Sequence, residues 1–234
     1  MTELTTQPTT EIKDKGLVAR FTGVLFSPRE TFAVVARWPR PFTMLLLILG
    51  MTALLTGGFM FTAVGQQTFL DGIERSGNAQ QLEMMQKIAP YMGYIVIGQL
   101  LIVSPLILLA ISGIVLAVFT MAGGDAKFKQ VFAVVVHSGA VGVLGQLVTV
   151  PLSYITRSSQ VVTNASVFFP MLDDKSFLYN VINKVDLFTV WSVMVMAIGL
   201  GVLYRRRTGP IAVVFFVLYA LIALGIAAFQ AARS

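Results

Sequence analysis

Apolar and polar positions alternate along this chain in long blocks. Five uncharged apolar runs stand out: Phe42–Gly65, Tyr91–Thr120, Gln130–Thr156, Leu187–Tyr204 and Thr208–Ala232. Each reaches the roughly 17–25 residues a helix needs to cross a bilayer core about 30 Å thick. The pattern therefore predicts an all-α, polytopic membrane helical bundle with five transmembrane helices. The second run, about 45 Å long as a helix, must tilt, bend or protrude. Pro105 in its middle cannot donate to Leu101, which predicts a kink there. Arg205-Arg206-Arg207 separates the fourth and fifth runs so closely that the two form a helical hairpin.

Ahead of the first run the period changes. Leu17, Val18, Phe21, Val24 and Leu25 share one helical face. Ser27 offers an N-cap, Pro28 suits the first helical position, and Glu30 completes a capping box. Phe32, Val35 and Ala36 continue an apolar face, with Arg29 and Arg37 opposite and Pro39 and Pro41 ending the segment. Residues 16–40 thus read as amphipathic helices at the cytoplasmic membrane interface, apolar side down on an anionic leaflet. Arg29, Glu30, Arg37 and Arg40 are their candidate contacts with headgroups or a partner. Three roles stay open: a topological anchor, a docking site, and packing back onto the bundle. Residues 1–15 read as a flexible cytoplasmic tail and 41–234 as one membrane domain. Ala63-Val64-Gly65 resembles a cleavage site, yet the run before it is too long for a signal peptide and reads as an uncleaved span.

Orientation follows from counting cations on alternate sides of the runs. Lys13, Lys15, Arg20, Arg29, Arg37, Arg40, Lys127, Lys129 and Arg205 to Arg207 fall on one side. Arg75, Lys87, Arg157, Lys175, Lys184 and Arg233 fall on the other. The excess places the N-terminus in the cytoplasm and the C-terminus outside. Two outer loops are longer than a connection requires. One holds a helix start at Asn78 with Leu82, Met85 and Ile88 at helical spacing; the other has an apolar tip, Val167 to Met171, placed to dip into the interface.

Composition narrows the function classes. The chain is 56% hydrophobic and 12% charged with a mean hydropathy of +0.80, half the charge of a soluble domain. Its net charge of +6 is spread over the flanks of apolar runs, with no basic stripe interleaved with aromatics, so nucleic acid is not an expected partner. It has no cysteine and one histidine, and no HExxH, nucleophile elbow or P-loop in context. No cofactor, metal or enzymatic activity is expected.

Polar residues inside spans are the remaining candidates for chemistry. They are Gln99, Ser104, His137 and Gln146, with Asp186 at the boundary of the fourth run, where an N-cap role explains it. In the third run Ser138, Gly142, Gly145 and Thr149 lie within a stripe of about 60°. Such a stripe suits close helix packing, inside the bundle or between two copies.

Three blocks in order resemble the Yip1 family as it appears in bacteria. They are Leu25-Phe26-Ser27-Pro28-Arg29-Glu30-Thr31-Phe32, then Gly123-Gly124 with Phe128-Lys129-Gln130, then Asp186-Leu187-Phe188-Thr189-Val190-Trp191 running into Gly199. The resemblance implies a five-span bundle with a cytoplasmic N-terminus, and a bacterial inner membrane as its location. Eukaryotic relatives act in vesicle trafficking and bind small GTPases and one another. Their Asp-Leu-Tyr-Gly-Pro motif is missing here, so GTPase binding does not carry over. Where the family often has Tyr-Ser followed by proline, this chain has His137-Ser138 and then Gly139 to Val143 without one. The expected role is a non-enzymatic scaffold or adaptor that binds the lipid bilayer, anionic headgroups or other membrane proteins. The alternative is a small transporter, channel or lipid-translocating protein lined by Gln99, Ser104, His137 and Gln146.

Overall fold

A computed structural model describes residues 14–75, 79–158, 163–169, 171–172 and 176–231. The expected tail up to Lys13, the helix start at Asn78 and Pro170 of the apolar tip lie outside them. Among the described residues the chain is an all-α membrane helical bundle. Its helices are α1 (Leu17–Phe26), α2 (Pro28–Arg37), α3 (Pro41–Thr52), α4 (Gly58–Met60), α5 (Ala63–Arg75), α6 (Ala79–Ile88), α7 (Met92–Met121), α8 (Phe128–Ser138), α9 (Ala140–Thr156), α10 (Phe177–Ile182), α11 (Leu187–Leu203) and α12 (Thr208–Ala231). By length and composition, Pro41–Met60, Gln80–Met121, Phe128–Thr156 and Thr208–Ala228 can each cross a membrane. α11, apolar throughout, has 17 residues and is shorter.

The centre of the molecule is α8. Every residue from Val131 to Ser138 is buried, as expected of a helix that is apolar all round. Around it pack α1, α2, α3, α7 and α11. The helix turns at Gly139, whose N–H reaches back only to Val136 O at 3.0 Å, and then continues as α9. A glycine thus marks the point where a proline was missing from the sequence. Pro105 lies inside α7, which runs unbroken through it.

The first apolar run is less regular than its composition suggests. After α3 the chain makes a π-helical turn, Ala53–Gly57, and Gly57 sits where a Cβ would come within 2.5 Å of Ile97. The wider turn and the missing side chain let this run pack closely on α7.

α1 and α2 form a hairpin that caps one end of the bundle. Gly23 makes it possible: a Cβ there would lie 2.3 Å from Thr31 Oγ1. The boundary falls at Ser27 and Pro28 as the sequence predicts, but the capping box does not form. Ser27 closes α1 with its N–H on Gly23 O and opens α2 with its carbonyl to Thr31 N, and its side chain makes no cap bond. One residue serving two helices adopts φ −142°, ψ 64°, away from ordinary N-cap geometry.

The apolar face of this hairpin meets protein. Val24, Phe32 and Val35 are fully buried, within the cluster formed by Val131, Val134 and Val141 and by Val195 and Leu200 of α11. Of the three roles open from the sequence, packing onto the bundle is the one this burial supports. Phe26, at 80% exposure, marks the hairpin's outer side.

Candidate functional site

Arg20 organises the capping hairpin. It is counted among the basic flank in the sequence, yet it is 1% exposed. Its guanidinium donates from Nε to Lys15 O at 2.8 Å, from Nη1 to Trp38 O at 2.8 Å and from Nη2 to Asp14 Oδ1 at 2.5 Å. The planar fork reaches three acceptors on different sides of itself, a geometry no ammonium reproduces. One side chain thereby ties the start of α1 to the C-cap of α2. Asp14 also pairs with Arg40, at 2.7 Å. The hydrogen bond from Arg20, reinforced by the charges of Arg20 and Arg40, holds the Asp14 carboxyl below the usual carboxylate range.

With Arg20 turned inward, the remaining cations of the hairpin face out. Arg29, Glu30, Arg37 and Arg40 are all exposed, and the Arg37 guanidinium lies 5.2 Å over the Trp38 ring. Three basic segments distant in sequence meet at this end of the bundle. Arg29 lines a cavity of about 170 Å³ with Gly201, Arg205, Arg206 and Thr208. A second cavity, about 340 Å³, is walled by Asp125, Lys127, Tyr204, Arg205 and Arg206. Gln130 locks the α7–α8 turn to the hairpin: Oε1 accepts from Lys127 N, and Nε2 donates to Ala36 O at 2.8 Å. Arg206 Nη2 donates to Ala122 O, which ends α7. Tyr204 stacks on Phe119 with centroids 4.2 Å apart, over Gly124, where a Cβ would lie 2.6 Å from the Tyr204 ring.

The polar residues of the spans lie apart from one another. His137 is sealed in the core. A carbonyl only accepts, so the 2.7 Å contact with Ala133 O places the proton on Nδ1 and leaves Nε2 buried without a partner. Gln99 faces outward from α7 and Ser104 is half-buried. Gln146 Oε1 accepts from Thr56 Oγ1 of the π turn at 3.3 Å. An exposed Gln99 and a sealed His137 do not line one surface. Asp186 caps α11: Oδ1 accepts from Thr189 N at 2.9 Å, and Oδ2 accepts from Thr163 Oγ1 at 2.5 Å.

The small-residue stripe divides in the same way. Ser138 is buried and donates to Val134 O. Gly145 sits 2.9 Å, from where its Cβ would be, from Phe188 of α11. Gly142 faces open space, and Thr149 is half-buried. A closer contact than that of Gly145 falls at Gly199, whose Cβ would meet Val134 at 2.6 Å and the Phe32 ring at 3.0 Å. Sequence reasoning placed Phe32 and Gly199 in separate blocks; their shared contact was not read from it.

Those two blocks hold the residues most like Yip1 proteins, and here they meet in one core. A family model described as Yip1 domain matches residues 22–229. The chain belongs to the Yip1 family. No curated protein and no solved structure matches it at the same standard. Yip1 proteins are not known as an enzyme family. Membership and the apolar helices together make this an integral, multi-pass membrane protein.

Proposed function

We propose that this Yip1 protein is a non-enzymatic membrane scaffold, which presents a fixed basic face to anionic headgroups and to other membrane proteins. The observation that carries the reading is the capping hairpin: Arg20 and Phe32 anchor it, so Arg29 and Arg37 are exposed at set positions, with Arg29 beside Arg205 and Arg206. Cations held in place by a packed core can recognise a surface without paying the ordering entropy of a mobile tail. Each is worth about 1 kcal/mol against an anionic leaflet.

The proposed topology has five spans, with the N-terminus cytoplasmic and the C-terminus outside, in a bacterial inner membrane. Two contacts support α11 as a full crossing. Its first turn is tied to Thr163 beyond α9, and its last turn shares a cavity with Arg29. A topology reporter fused after Ser234 is expected to be active only outside the cytoplasm; cytoplasmic activity would overturn this topology.

The scaffold reading is tested by reversing charge at Arg29 and Arg37 together. Arg40 is left alone because it pairs with Asp14. The Arg29→Glu/Arg37→Glu protein is expected to insert normally while losing most of the membrane proteins that co-purify with wild type after crosslinking. An unchanged set of partners would sink the reading. A carrier reading makes the opposite demand, that His137→Leu or Gln146→Leu abolish flux in proteoliposomes. The sealed position of His137 predicts no flux in wild type and none in either variant.

A further inference from the structure

The outer side of the bundle carries a groove between α7 and α12, with a volume of about 560 Å³. Ile114, Val118, Val214 and Leu218 line it and are each about half exposed or more, so it opens toward the surrounding bilayer. Its walls are apolar along their whole length except at one end, where Arg206 and Arg207 close it. From Ala122 to Ile114, and from Pro210 to Leu218, each wall runs roughly 12 Å as a helix. One leaflet is about 15 Å deep. An apolar trough of nearly leaflet depth with two guanidinium groups at its mouth has the polarity of a single phospholipid.

We infer that the α7–α12 groove is a binding site for one anionic phospholipid, with an acyl chain along Ile114, Val118, Val214 and Leu218 and its phosphate on Arg206 and Arg207. This rests on the scaffold reading of the basic face, and it names a ligand and a place for it. The mouth is built, since Arg206 is held by Ala122 O at the end of α7. The stacked Phe119 and Tyr204 rings fix the turn behind it. Charge selects the occupant. The spans of a second copy carry no Asp or Glu within their apolar runs, so a neighbouring helix would fill the trough and leave the positive charge of both arginines uncompensated. A phosphate answers them with bidentate, charge-assisted hydrogen bonds.

The test uses the purified full chain, equilibrated with vesicles of equal parts phosphatidylglycerol and phosphatidylcholine, and native mass spectrometry of the retained lipid. Wild type is expected to retain phosphatidylglycerol over phosphatidylcholine by roughly tenfold or more, the effect of two basic residues. Arg206→Gln/Arg207→Gln should bring the ratio near one, while Arg206→Lys/Arg207→Lys, which keeps the charge, should preserve most of it. Val118→Trp/Val214→Trp, which fills the trough, should release both lipids without shifting the melting temperature of the bundle. The inference is overturned by an unchanged ratio in the Gln pair, by lipid retained in the Trp pair, or by a dimer that the Trp pair dissolves. None of these variants touches Arg29 or Arg37, and the assay contains no protein partner. Partner loss in the Arg29→Glu/Arg37→Glu protein with no lipid selectivity here would leave the scaffold and remove the groove site.

Discussion

Arg20→Met is expected to lower the thermal midpoint of the purified protein by roughly 5–10 °C, the consequence of about 2–4 kcal/mol in a chain of this size. The loss has a specific origin. Lys15 O and Trp38 O each give up a charge-assisted donor, and the methionine puts an apolar tip where those carbonyls converge. Arg20→Lys should recover less than half of the loss, because an ammonium cannot fan out to acceptors placed around a planar fork. Acidification offers an independent check. A carboxylate with a lowered folded pKa stabilises fully above its unfolded value, about 3.9, and loses that contribution as pH falls through the folded value. For Asp14, paired with Arg20 and Arg40, the difference between wild type and Arg20→Met should therefore hold at neutral pH and narrow below about pH 4. If Arg20→Met melts with wild type, Arg20 does not join the helices of the cap.

Phe32→Ala is expected to cost about 3–5 kcal/mol, the range for deleting a fully buried phenylalanine. Phe26→Ala, six positions away and 80% exposed, should change stability by less than about 0.5 kcal/mol. A hairpin lying loosely on lipid would not separate the two so sharply. The partner of Phe32 gives a sharper readout. Gly199→Ala on its own forces a methyl against Val134 and the Phe32 ring, an overpacking cost of about 1–3 kcal/mol. In the Phe32→Ala background part of that space is free, so the two changes should be non-additive by at least about 0.5 kcal/mol in the favourable direction. Strict additivity would mean that α2 and α11 do not touch at this point.

Much of the architecture was legible because hydropathy and length constrain membrane helices so strongly. The second, fourth and fifth apolar runs became helices close to their expected limits, while the first ends at Met60 and the third divides at Gly139. α1 and α2 divided at Ser27 and Pro28, and Asp186 caps α11 as its placement suggested. What could not be read depended on contacts far apart in the chain. Arg20 looks like any cation of a basic flank until Trp38 O, 18 residues on, is seen to accept from it. The π turn at Ala53–Gly57 leaves no trace in an unbroken apolar run. Gln99 and His137 were grouped by polarity alone, whereas one faces outward and the other is sealed. Arg205 to Arg207 read as a topological signal, and only folding brings them beside Arg29 and to the mouth of a groove. Polarity patterns specify which face is buried, but not which other segment buries it.

The central claim is that α1 and α2 are a fixed cap of the bundle. Because the chain has no cysteine, one introduced pair tests it cleanly. Arg29 and Thr208 line the same small cavity, so Arg29→Cys/Thr208→Cys should be joined by a short bifunctional maleimide in native membranes, in high yield and within a single chain. A hairpin swinging from the prolines at 39 and 41 would leave the pair largely unlinked, and that result would contradict the account.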